Sequence, residues 1–77
     1  MLKIFLILLI SQALVLKIFN LLGEELITLH NEYTLPGKYN VVWDGHNSMG
    51  MLVPSGVYFY QLSTDTYINT GKMILMK

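Results

Sequence analysis

A chain of 77 residues makes one domain at most, and a domain of that size buries only about 60% of the surface its unfolded chain exposes. Five Lys+Arg against five Asp+Glu leave zero net charge, which argues against a nucleic-acid-binding module with its concentrated basic face. The lack of cysteine excludes disulfides, thiolate nucleophiles and Cys-based zinc sites.

Charged residues are only 13% of the chain, about half the usual share. The surface is therefore expected to be rich in Asn, Ser, Thr and Tyr, or to be partly covered. The chain opens with Lys3 and seven uninterrupted apolar residues, Ile4 to Ile10, followed by Ser11-Gln12-Ala13. A basic start, a short apolar stretch and a small-x-small triplet outline a secretory signal peptide. The run is too short to span a bilayer as a helix, which takes about 20 apolar residues. The same residues read equally as a buried first strand, or as an internal stretch of a longer reading frame. Residues 1–13 are thus expected to be an apolar leader or an extra strand ahead of a domain over 14–77.

Strands and turns follow. Leu14 to Phe19 alternates, with Leu14, Leu16 and Ile18 on one face and Val15, Lys17 and Phe19 on the other, the period of a strand. Asn20 and Gly23 bracket a turn, and Glu24 to His30 returns as the second arm of a hairpin. A helix through this region is the rival reading, but Gly23 in its middle costs about 1 kcal/mol against Ala. Asn31 to Gly37 reads as a loop from its Asn, Pro and Gly content. The next strand carries Tyr39, Val41 and Trp43 on one face and stops at Asp44-Gly45, a strong turn signal. After a long irregular connection, Pro54 and Gly56 lead into a strand with Tyr58, Tyr60 and Leu62 on one face and Val57, Phe59 and Gln61 on the other. Apolar groups on both faces imply cover on both sides. Ser63 to Thr66 turns the chain into a last strand, with Met73 and Leu75 against Ile74 and Met76. No internal repeat is evident. Five short strands after residue 13 and no believable helix predict an all-β fold, a small Ig-like β-sandwich truncated at the N-terminus.

Several constellations suggest chemistry and have plainer explanations. Asp44, His46 and Ser48 are catalytic residue types, but triads gather from distant segments, whereas these lie on one loop suited to turn formation. Asp44, Asn47 and Ser48 offer oxygens for calcium, which takes about six to eight; the spacing matches no EF-hand loop, and Asx-turn bonding accounts for the same residues. His30 and His46 alone make an incomplete zinc set. Trp43 with Tyr39, Tyr58 and Tyr60 resembles an aromatic carbohydrate platform, but their alternation points them inward as core. No cofactor, metal or small-molecule substrate is expected, and no enzyme activity.

The blocks LVLKIFNLLGEELITL, PGKYNVVWDG, VPSGVYFYQL and GKMILMK, in that order and spacing, resemble the C-terminal sorting domain of type IX secretion substrates of Bacteroidetes and related phyla. The likeness covers Leu14 to Lys77, about four-fifths of the chain, and extends to the Ig-like domain of flagellar hook-capping proteins. It implies a sorting signal at the C-terminus of an exported cargo, recognised by the outer-membrane translocon and removed as the cargo is released or anchored to surface lipopolysaccharide. The positions matching the family pattern are Gly23, Trp43, Asp44, Gly45, Pro54, Gly56 and Tyr58, with Lys72 to Lys77 at the end. Lys72 and Lys77 are candidate translocon contacts or edge-strand charges that discourage aggregation. Family members carry one more strand upstream after an Asn-Pro-Phe segment; here Met1 to Gln12 stands in its place. The chain is expected to be a fragment or orphan of a cargo protein, exported to the periplasm, cell surface or medium. The alternatives are a structural module of the hook-capping kind, or a small membrane-associated protein anchored by residues 1–10.

Overall fold

The computed structural model describes residues 2–76. The order is β1 (Leu2–Leu8), β2 (Gln12–Phe19), β3 (Glu25–Thr34), β4 (Gly37–Trp43), β5 (Gly56–Ser63) and β6 (Ile68–Leu75). All pairings are antiparallel: β1 with β4 in one sheet, and β3-β2-β5-β6 in the other. The fold is an all-β sandwich, and no residue from 2 to 76 is helical.

The alternation of each strand decides what lies between the sheets. From the smaller sheet come Ile4, Leu6, Leu8 and Trp43; from the larger come Leu14, Leu16, Ile18, Tyr58, Leu62, Met73 and Leu75. Leu16, Ile18 and Trp43 have no exposed surface at all. β2 lies second in the larger sheet, with β3 on one side and β5 on the other, which is why its inward leucines are so completely covered.

One feature decides between the two readings of residues 1–13, and three depart from the expectations drawn from the sequence. Leu2–Leu8 forms β1, hydrogen-bonded along its length to β4 from Leu2↔Trp43 to Leu8↔Gly37. The sandwich therefore has six strands rather than five. Asn31 to Thr34, read as loop, extends β3, because β2 begins at Gln12 and its first residues need partners: Gln12 faces Thr34 and Val15 faces Asn31. The outer face of β5 is not fully covered, since Val57, Phe59 and Gln61 stay half-exposed. The chain also repeats itself locally, in two devices.

The first device is an Asn-x-x-Gly turn. Asn20 N–H donates to the Glu24 carbonyl, Gly23 N–H donates back to Asn20, and the Asn20 Oδ1 accepts from Leu22 and Glu24 N–H at 2.9 and 3.0 Å. Asn47 does the same with Met51, Gly50 and the N–H groups of Met49 and Met51. Gly23 and Gly50 close the two turns at φ 83° and 78°, a left-handed conformation that L side chains rarely adopt. The second device is Gly-x-Tyr at a strand entry. In Gly37-Lys38-Tyr39 and Gly56-Val57-Tyr58 the tyrosine hydroxyl donates to the carbonyl four residues back, Leu35 and Pro54, each at 2.6 Å. This is the bonding logic of a tyrosine corner.

Candidate functional site

Six of the nine positions singled out in the sequence meet at one end of the sandwich. β4 delivers Trp43 to the core and β5 delivers Tyr58 beside it, with ring centroids 5.1 Å apart at 72°, an edge-to-face pair. Both polar tips are satisfied: Trp43 Nε1–H donates to the His46 carbonyl at 3.0 Å, and Tyr58 donates to Pro54. Gly45 joins the two segments, its carbonyl accepting from Val53 N–H at 2.9 Å. At φ 85° and with Leu75 Cδ2 only 3.3 Å from where a Cβ would stand, this position suits glycine on two counts. Asp44 Oδ1 accepts from His46 N–H at 3.0 Å. Trp43, Asp44, Gly45, Pro54, Gly56 and Tyr58 thus make a corner that fixes backbone geometry. None presents an activated side chain.

The other positions lie elsewhere. Gly23 closes the β2–β3 turn, whose tip displays Leu21 and Leu22, 68% and 85% exposed. Lys72 stands on β6 opposite Phe59 and is exposed. Lys77 lies outside the described residues. A hollow of about 380 Å³ opens on the outer face of the larger sheet, floored by the cross-strand pair Phe19 and Phe59 and rimmed by Gln61, Thr70 and the Gly23 turn.

The titratable groups are locally engaged. The His46 backbone N–H, together with its side chain, holds the Asp44 carboxyl below its ordinary pKa. His46 Nδ1 lies 3.1 Å from the same oxygen, out of alignment for a regular hydrogen bond. Thr34 donates its one hydroxyl proton to the Glu32 carbonyl at 3.0 Å, which leaves His30 Nε2 as the donor across its 2.8 Å contact with Thr34 Oγ1. His30 and His46 are thus engaged by different partners. No three His, Asp or Glu side chains gather to hold a metal ion among the described residues. Ser48 uses its backbone N–H to dock on the Leu26 carbonyl of β3 at 2.9 Å. No helix among the described residues is long and apolar enough to cross a membrane.

The Asp44 arrangement has a pH consequence. A carboxyl whose folded pKa is depressed contributes stability that is present above its unfolded pKa and lost as pH falls through the folded one. The acid limb of wild-type unfolding should therefore contain a component that is missing in Asp44→Asn, which keeps the acceptor oxygen but not the charge. Urea midpoints measured from about pH 5 down to about pH 2 check this, and identical acid limbs would exclude it.

One buried polar group escaped the sequence reading. Gln12 is 7% exposed, and its Oε1 has no hydrogen-bond partner among the described residues. An unpaired buried acceptor costs about 1–3 kcal/mol. Gln12→Leu, similar in volume, is expected to raise stability by about 1 kcal/mol in urea denaturation; a loss would mean that the amide makes a compensating bond. The only clue in the sequence was its even-numbered register with Leu14 and Leu16.

No protein-family model, curated protein or solved structure matches the chain.

Proposed function

We propose that the chain is a non-enzymatic sorting module of the type IX secretion kind, recognised as a folded shape by an outer-membrane translocon and ordinarily borne at the end of an exported cargo. The observation that carries this reading is the corner itself. The residues that give the resemblance, from Trp43 to Gly45 and from Pro54 to Tyr58, are engaged in fixing backbone geometry through one ring pair, two tip hydrogen bonds and a glycine link. A signal read as a folded shape requires such rigidity. The Leu21-Leu22 tip, held by the Asn20 cap, is an exposed apolar feature that we assign to recognition by a protein partner.

The test is export. The chain is fused behind a reporter carrying its own signal peptide, in a host with type IX machinery. The reporter is expected in the medium or at the cell surface. A reporter that stays periplasmic while a known sorting domain exports it ends the proposal. Changing both Leu21 and Leu22 to Ser should cut export at least tenfold while leaving the circular dichroism spectrum unchanged. Undiminished export would remove the hairpin tip from the recognition surface.

A further inference from the structure

β2 sets Gln12, Leu14, Leu16 and Ile18 on its inward face, and Gln12 is the one polar member of that series. A leucine there would simply extend the core. The Gln12 Oε1 is buried and has no hydrogen-bond partner among the described residues. Thr34, directly across the ladder, cannot supply one. Its hydroxyl donates to the Glu32 carbonyl and accepts from His30 Nε2. Buried polar groups of native proteins are nearly always paired, so this acceptor points to a partner outside the fold. Gln12 also lines a cleft of about 320 Å³, between the β1–β2 link with Leu8, Leu9 and Ile10 and the β5–β6 turn with Thr66 and Tyr67. The turn is pinned. Thr64 N–H donates to the Tyr67 carbonyl at 2.9 Å, and Thr64 Oγ1 accepts from Thr66 and Tyr67 N–H, each at 3.3 Å.

We infer that this cleft binds a small neutral molecule with an aliphatic body and a hydroxyl or amide end, whose polar hydrogen is donated to Gln12 Oε1. Among the described residues no Lys, His, Asp or Glu lines the cleft, so nothing there would offset the desolvation of an ion. A lone water suits it poorly too, since an ordered water needs about two to four polar partners. Leu8, Leu9 and Ile10 offer none from their side chains, and the Thr66 hydroxyl is already shared with Thr64. The aliphatic side chains and the Tyr67 ring suit an apolar body, and the volume lies at the lower end of the range for ligand pockets, about 300–1,000 Å³. The oxygen is covered, so the ligand reaches it by displacing Leu9 or Ile10. These two are 84% and 60% exposed and lie outside the strands, so they shift without breaking a ladder. Binding here does not depend on export.

NMR titration of the isotope-labelled chain checks this, with n-hexanol and its methyl ether as probes. The ether keeps the chain and the oxygen and lacks the polar hydrogen. Hexanol should shift the Gln12 side-chain amide and the backbone amides of Ile10 and Tyr67 saturably. It should bind about 3- to 10-fold more tightly than the ether, the worth of one neutral hydrogen bond. Gln12→Leu, the variant expected to gain stability, should bind both probes alike. Equal wild-type affinities for the two probes overturn the inference, as do shifts confined to the Phe19–Phe59 hollow. So does the lack of any saturable shift up to the solubility limit of hexanol, or a Gln12→Leu chain that keeps the preference. Should that variant fail to fold, the wild-type ratio of the two probes still decides.

Discussion

Trp43→Ala is expected to lower stability by about 3–5 kcal/mol. The ring is fully buried, stands edge-on to Tyr58 and ties its Nε1–H to the loop carbonyl of His46. Removing it opens a cavity where the sheets and the 44–55 connection meet, and leaves that carbonyl without its partner. A domain of this length has about 4–12 kcal/mol in total, so the variant sits at or near the edge of folding. At about 4–8 °C per kcal/mol for small domains, thermal unfolding followed by circular dichroism should show a midpoint lower by at least about 12 °C. Trp43→Phe keeps an aromatic edge for Tyr58 and loses only the indole tip, so its cost should be smaller. A loss below about 1 kcal/mol for the alanine variant would show that the corner is not the keystone of the core described above. Tyr58→Phe, which deletes only the hydroxyl bonded to Pro54, should cost about 1 kcal/mol and isolates the hydrogen bond from the ring.

Leu16→Ala should cost about 2–5 kcal/mol. Leu16 is fully buried on β2, opposite His30 of β3 and Leu62 of β5. Hydrogen-bonded neighbours on both sides restrain the backbone, so the surroundings cannot easily collapse into the space, and residual cavity volume is what raises such costs. Val15→Ala, one residue away on the half-exposed outer face, is the internal comparison and should cost less than half as much. Equal effects at the two positions, read from urea midpoints, would contradict the assignment of inner and outer faces.

How much of this was legible in the sequence depended on contrast within each strand. β4 alternates apolar with polar or smaller groups and β2 nearly does, so Leu14, Leu16 and Ile18, and likewise Tyr39, Val41 and Trp43, could each be grouped on one face. The end of β6 sets Met73 and Leu75 against the equally apolar Ile74 and Met76, and only the structure shows that the first pair faces inward. β1 offers no such contrast, because six of its seven residues are apolar. Periodicity cannot tell a uniformly apolar strand from a leader, and only pairing with β4 fixes its faces. The reach of β3 was hidden for a different reason. Its end at Thr34 is dictated by where β2 starts, a non-local fact that Asn31 and Glu32 do not advertise. In the candidate site, the burial of Trp43 and Tyr58 followed from alternation. The equivalence of the Asn20 and Asn47 turns did not, since their intervening residues, Leu-Leu and Ser-Met, share nothing but a backbone path.

The order of the strands has a kinetic consequence. β2–β3 and β5–β6 are hairpins closed by short turns, and hairpins form in about 1–10 μs. The joins that make the sandwich, β1 to β4 and β2 to β5, must each wait for an entire intervening arm to come around. Refolding should therefore run on the millisecond-to-second scale of non-local β topologies, with the assembled hairpins idling until the closing pair meets.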